Sequence, residues 1–476
     1  MVREPGLPVY LRAPSPALVS VVFIALGCAL AYLGGTQGWL LVLVLCFGLA
    51  ITLLALARME WAILGLVVMA NVDGFLKPFF AERFSLFFKD YFILLATVRW
   101  AWGLLLGEER PSLRSLVAVP AVLLTGYVFA ELANPNAPSL LASLAGVRAW
   151  LVWIPVFFVA YDYMRSRAEI ERLWIAATAL SGLVAVYGII QYFIGYEHLY
   201  ALSDRFRYYG KMGYFAEELG VVTRVAATMV HPGTFGGAMA FMALAALAVA
   251  FAARWRSARW LAWVCLPAII IGLFLSGARS AMVGACVGAA LFLLLGRRPV
   301  LLLGAGLLVL IGFWQATELT GGGIERRLGT VTWQTVTDRT GYPLTKGFIT
   351  ALNHPFGLGV ASGAGVGSFG LAPGSAIGFV ENDFGRAMSE LGVGALLYFG
   401  LLAAAAVAAA RAYKDTVENS SVVMSAALIG AMASIVTALA TGAALYVAPG
   451  APYFWLALAS VLRLPQTEAR GERASL

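Results

Sequence analysis

The sequence predicts an all-α polytopic membrane protein, with about 14 (12–14) transmembrane helices and a small cap outside the membrane. Three observations predict it. Of 476 residues, 61% are hydrophobic and only 12% charged, a balance that no water-soluble domain of this length carries. Apolar runs of roughly 20 residues, the length that crosses a bilayer as a helix, recur along the whole chain. Basic residues recur in alternate short connections, as they do where those connections face the cytoplasm.

The first element follows a basic lead, MVREPGLPVYLRAPSP, and no small-residue cleavage site follows its apolar run, so it reads as a retained helix. Candidate spans then fall at about 17–35, 38–57, 60–75, 86–106, 114–133, 147–164, 171–194, 231–253, 258–276, 279–296, 298–316, 387–412, 420–447 and 451–464. The runs at 60–75 and 451–464 are the shortest. With the N-terminus inside, the inner connections collect Arg58, Arg110 and Arg114, then Arg165, Arg167 and Arg172, then Arg254, Arg256 and Arg259, then Arg297 and Arg298, then Arg411 and Lys414. The alternation closes, and more than half of the 33 basic residues lie inside once both termini are added. An even number of spans returns the C-terminus to the cytoplasm.

Organisation follows from what the spans leave over: N-terminal helices in 1–194, a first loop at 195–230, central helices in 231–316, a large loop at 317–385, and C-terminal helices with a tail in 386–476. Loops this long are functional or unstructured. The glycine tract HPFGLGVASGAGVGSFGLAPG lacks the lysine-serine ending of a phosphate loop, so no nucleotide site is expected. Cys28, Cys46, Cys265 and Cys286 sit in apolar runs without metal spacing and read as packing residues. No histidine–carboxylate cluster has ligand spacing, so neither metal nor other cofactor is expected.

The residues that invite a chemical reading gather in the outer loops. By the topology, Arg224, Arg279, Arg326, Arg327, Arg339 and Arg386 all stand at or near the outer surface, against the usual bias. A guanidinium keeps its charge and matches phosphate oxygens two at a time, so a diphosphate is the expected ligand. The alternative is local pairing (Glu325 with Arg326, Asp338 with Arg339, Asp383 with Arg386) or contact with lipid phosphate. Arg279 sits on a shelf of small residues, Ser276 to Gly288, that admits a substrate or a neighbouring helix. His231, before Pro232, is either a helix-entry residue or part of a site. Asp73 and Lys77 are expected to pair in a short turn, and His198 and His354 have no evident partner. In VENDFGRAMSELGVGALLYFG, Asn382 or Asp383 caps a helix and Glu381 stands at its entrance, either as a general base on a sugar hydroxyl or as part of an ordinary capping cluster.

Four ordered stretches, over roughly Arg224–Gly400, resemble the bacterial family of O-antigen ligases and O-antigen or exopolysaccharide polymerases that share the Wzy_C region. They are TRVAATMVHPGTFGG, LSGARSAMVGACVG, DRTGYPLTKGFITALNHPFGLGVASGAGVGSF and ENDFGRAMSELGVGALLYFG. The resemblance implies a scaffold related to the C-type glycosyltransferases (GT-C), in the bacterial inner membrane, with both termini cytoplasmic and the active site facing the periplasm. It implies metal-independent glycosyl transfer from an undecaprenyl-diphosphate-linked oligosaccharide to a glycan acceptor, with membrane lipids and a chain-length regulator as further partners and no nucleic acid. On that pattern Arg279 and Arg339 bind the leaving diphosphate and Arg224 supports them. Glu381 activates or orients the acceptor, while Asn382 and Arg386 shape the entry. Two departures stand out. Glu381 occupies the place where relatives carry histidine, so either the base is a carboxylate or catalysis rests on substrate and arginines. Gly341 and Pro343 are expected to interrupt the helix after Arg339, which leaves the loop-arginine role open between Arg339 and the pair Arg326/Arg327. A polymerase is the preferred activity and a ligase the alternative. A transporter or lipid flippase, the remoter alternative, would carry ionisable residues at the midplane of broken helices, and these spans are nearly free of charge. A cell-wall polymerase of the shape, elongation, division and sporulation type fits the ordered stretches poorly.

Overall fold

The computed structural model describes residues 52–53, 58–76, 87–108, 110–137, 139–204, 206–207, 214–217, 220–229, 231–296, 299–329, 332–360, 362, 382–442, 444–445 and 447–475. The predicted span at 17–35 lies outside them, as do Lys77, Glu381 and all of the predicted span at 38–57 except residues 52–53. The chain divides into two units, Met1–Trp61 and Ala62–Leu476, and the second carries everything discussed below apart from the opening residues of α1.

Within the described residues the fold is helical, relieved by one hairpin of two short antiparallel strands, β1 (Tyr214–Glu217) and β2 (Gly220–Thr223). Eight segments are long and apolar enough to cross a membrane. They are α1 (Met59–Leu76), the broken pair α4 (Leu140–Leu151) and α5 (Ile154–Tyr163), α6 (Arg167–Ile194), α8 (Pro232–Ala252), α9 (Arg256–Leu275), α10 (Arg279–Gly296), the pair α15 (Asp383–Leu391) and α16 (Ala395–Asp415), and α17 (Asn419–Leu439). The other helices are α2 (Phe87–Leu105), α3 (Ala118–Ala130), the short α7 (Glu197–Tyr200), α11 (Pro299–Leu319), α12 (Gly323–Gly329), α13 (Trp333–Val336), α14 (Tyr342–Asn353) and α18 (Gly450–Ser475). The coarse architecture is that of a polytopic membrane protein.

Local chemistry fixes the helix ends. Ser166 and Glu169 form a reciprocal capping box at the start of α6, and Gly195, at φ 71°, ends it. Pro155, in the first turn of α5, separates it from α4, so the span predicted at 147–164 begins earlier and is broken. The run predicted at 420–447 ends as helix at Leu439. Asp73 lies buried within α1 rather than in a turn, because α1 continues to Leu76.

The core is central. α8 is buried along nearly its whole length and packs against α6, α9, α10 and α17. α10 and α17 cross where Gly284 and Gly288 meet Ser434 and Gly430. A Cβ on Gly288 would stand 2.4 Å from the carbonyl oxygen of Gly430, so only glycine permits this approach. In α18 the stretch from Tyr453 to Leu464 is buried throughout. Tyr453 stacks on Phe241 at 5.3 Å and receives a 2.6 Å hydrogen bond from Asn71. Large apolar side chains such as Leu183, Val264 and Leu294 point outward, as lipid-facing residues do.

Candidate functional site

The site is built on the irregular segment between β2 and α8, residues 224–231. Backbone at the end of a membrane bundle must find hydrogen-bond partners within the protein. Here three of its polar groups are met by two side chains, those of Gln191 and Tyr196. The buried side-chain oxygen of Gln191, near the end of α6, accepts from the N–H groups of Ala226 (3.2 Å) and Ala227 (2.8 Å). Tyr196 donates its hydroxyl to the Arg224 carbonyl at 2.6 Å, and Val225 donates its N–H to the Leu275 carbonyl. Thr228 donates to the carbonyl of Asn71. Ala227 adopts φ 50°, a conformation that costs a non-glycine residue about 1–3 kcal/mol and recurs at functional sites.

This scaffold aims three groups. Arg224 is buried, and its Nε donates to the Ser276 carbonyl at 2.9 Å. Ser276 closes α9, Gly277 turns at φ 58°, and Arg279 opens α10 half-buried just beyond. The first turn of α8 rests on this corner, since a Cβ on Gly236 would meet Ser276 and Ala278 within 3 Å. His231 caps α8, its Nδ1 accepting from the N–H of Gly233 at 2.9 Å. The residue keeps an exposed edge. Burial of the ring, then the positive charges of Arg224 and Arg339, nonetheless pull its pKa from 6.5 to about 4. A neutral ring that accepts at Nδ1 carries its proton on Nε2, so His231 presents a donor. The same effect places Arg339 within electrostatic reach of His231, although more than a hundred residues separate them in sequence.

Arg339 is exposed, on a π-helical turn (Thr337–Gly341) that joins α13 to α14. The expected interruption by Gly341 and Pro343 does not occur. The widened turn carries the chain through, and Pro343 falls in the first turn of α14, where its missing N–H is tolerated. Asn382 joins this turn to α15. It is the cap of α15, its Oδ1 accepting from Gly385 at 2.7 Å, and its Nδ2 donates to the carbonyl of Thr340, next to Arg339, at 3.4 Å.

The remaining predicted residues stand apart. Arg386 is buried with its Nε 2.6 Å from Glu390, whose second oxygen accepts from Trp150 at 2.6 Å, and its guanidinium lies 5.5 Å from the Trp150 ring centre. That arrangement anchors α15 to α4. Asp383, expected to pair with Arg386, accepts from the backbone N–H groups of Ala444 and Leu445 at 3.0 Å each. Arg326 turns its guanidinium onto the carbonyls of Gly321 and Gly322 at the end of α11. The Arg327 side chain lies outside the described residues. His198 has the partner the sequence did not suggest, the hydroxyl of Tyr187 at 3.0 Å.

Sequence reading missed Gln191, Tyr196 and Trp150. A lone amide near the end of a long apolar helix was the one available signal for Gln191. No known family model matches this chain, and no curated protein does. Chemically, the cluster offers permanent cations and a neutral N–H donor around a strained, hydrogen-bonded loop, which suits an oxyanion.

Proposed function

We propose that the chain is a metal-independent glycosyltransferase of the C-type class that polymerises O-antigen or exopolysaccharide repeat units carried on undecaprenyl diphosphate. It would work at the periplasmic face of the bacterial inner membrane. The observation that carries this reading is that the charges of Arg224 and Arg339 both act on His231, these being residues of two of the four stretches that resemble the polymerase and ligase family. Arg279, from a third, lies three residues beyond the carbonyl that holds Arg224.

In the proposed reaction, the acceptor hydroxyl attacks the anomeric carbon of the donor sugar, and its proton passes to a base. Glu381 is assigned that role from its place one residue before Asn382. The bond from the anomeric carbon to the diphosphate oxygen breaks, and the lipid diphosphate leaves with the electron pair. Arg339, Arg279 and Arg224 stabilise its growing charge, and His231 donates Nε2–H to it. Asn382 and Arg386 act indirectly, by holding α15 and the turn that bears Arg339.

Reconstitution with lipid-linked repeat units, with and without lipid A core, tests the reading. Ladders on the carrier without core support a polymerase, whereas product on core alone identifies a ligase. Movement of the lipid-linked unit across the bilayer with no product would overturn both. Arg339→Ala and Arg279→Ala are each expected to cut turnover about 100-fold at normal protein level. Unchanged turnover in both would remove the proposed site.

A further inference from the structure

Helix α14 is built inside out. At 100° per residue, Tyr342, Phe348, Ile349 and Leu352 fall within one arc of about 120°, and all four are more than half exposed. The opposite face is the buried one. Pro343 and Gly347 lie against α15, and a Cβ on Gly347 would stand 2.5 Å from the carbonyl oxygen of Gly385. That contact pins the helix and leaves the apolar face no way to turn inward.

The uncovered face does not end with the helix. Phe356, three residues beyond it, is 68% exposed. Its neighbour Pro355 accepts the N–H of Val393 at 2.7 Å, and Val393 and Leu396 are themselves exposed at 51% and 70% where α16 begins. Exposed apolar residues thus lie on both sides of that hydrogen bond, Phe356 beyond α14 on one and, on the other, the start of a segment long and apolar enough to cross a membrane. Lys346 lies toward the margin of the exposed arc, where a long side chain can reach headgroups.

We infer that α14 lies in the plane of the membrane with Tyr342, Phe348, Ile349 and Leu352 seated among the acyl chains of one leaflet, the bilayer being the cover that the described residues do not supply. An apolar stripe of this size facing water would be an association hazard, whereas at a bilayer surface it is an anchor. A second consequence concerns Arg339, which sits on the turn leading into α14. The anchored helix holds it at the level of lipid phosphates. This inference concerns the seating of a helix and stands whether or not the chain transfers sugars.

The experiment uses the full-length chain with its four cysteines replaced, reconstituted in phosphatidylcholine vesicles. Ile349→Cys and, independently, Leu352→Cys are labelled with an environment-sensitive fluorophore, and Glu325→Cys on α12 serves as the reference. Quenching by lipids spin-labelled high on the acyl chain is expected to be at least threefold stronger at 349 and 352 than at 325, with aqueous iodide giving the reverse order. Stronger iodide than lipid quenching at 349 and 352 would overturn the proposal. So would quenching by neither agent, the signature of a protein partner or a second copy covering the face. Either labelled position decides the matter if the other variant fails to fold.

Discussion

Gln191 shows how much of the site hangs on single uncharged residues. One amide oxygen satisfies two buried N–H groups of the segment that carries Arg224. Gln191→Leu keeps the volume and removes the acceptor, leaving both donors unsatisfied at about 1–3 kcal/mol each. A matching fall in thermal stability in detergent is expected, together with weaker turnover than the wild type. His231 supplies a second prediction. Its folded pKa, about 4, lies below the ordinary 6.5, so between those values the unfolded chain binds the proton first. The stability tied to neutral His231 is therefore full above about 6.5 and lost as pH falls toward 4. Histidine-selective NMR in detergent should show the ring neutral, with its proton on Nε2, at pH 5. Arg224→Ala should raise the pKa more than Arg339→Ala, and no rise in either would separate the three residues. Arg224 was legible in the sequence because cations are scarce there. Gln191 and Tyr196 were not, because their partners lie 28 to 36 residues away in sequence and a neutral polar side chain in an apolar run carries no mark of its partner.

At the scale of elements, the charges of ENDFGRAMSELGVG are not at the mouth of a continuous span. Those of Asp383, Arg386 and Glu390 belong to α15, which stops at Gly392, φ 55°, before α16 starts afresh at Ala395. Asp383, Arg386 and Glu390 lie on its buried side and meet the backbone after α17, each other and Trp150. The paired glycines at 392 and 394 were the available sign of this break, overshadowed by the apolar run that follows. The length of the apolar run fixed the span well, but the break depends on a close approach: a Cβ on Gly392 would lie 2.2 Å from the Pro355 carbonyl oxygen. The contact between Gly347 and Gly385 is of the same kind and bears on function. Gly347→Leu must push α14 off α15, at an overpacking cost of about 1–3 kcal/mol, and carry with it the turn bearing Arg339. The expected outcome is a lower melting temperature accompanied by a rise in the His231 pKa, as one of its cationic neighbours withdraws. A drop in melting temperature without that rise would mean that Arg339 is positioned by something other than α14.

Across the whole second unit, α6 and α8 carry polar fixtures at both ends. At one end stand Gln191, Arg224 and His231. At the other, Arg167 at the start of α6 pairs with Glu171 (2.8 Å) and Glu418 (2.6 Å), and donates to the carbonyl of Ala252 at the end of α8 (2.9 Å). The 21 residues of α8 span about 31 Å, close to the thickness of a bilayer core. The site and this clasp therefore stand about one membrane thickness apart, which agrees with the alternation of charge read from the sequence. That reading nonetheless counted Arg167 as an ordinary inner-loop charge. It is 4% exposed and structural, and composition cannot distinguish a topological arginine from a buried one. Arg167→Ala tests the separation. It leaves Glu171, fully buried, with the Arg254 N–H at 3.1 Å and the Arg254 guanidinium at 3.7 Å but without its closest partner, a loss of about 3–5 kcal/mol for a broken buried pair. At about 30 Å the site lies beyond several screening lengths, so the His231 titration should not move while the melting temperature falls sharply. A shift of that titration in Arg167→Ala would show that the clasp holds the relative placement of α6 and α8 along their whole length, and that Arg224 is aimed from both ends of the bundle.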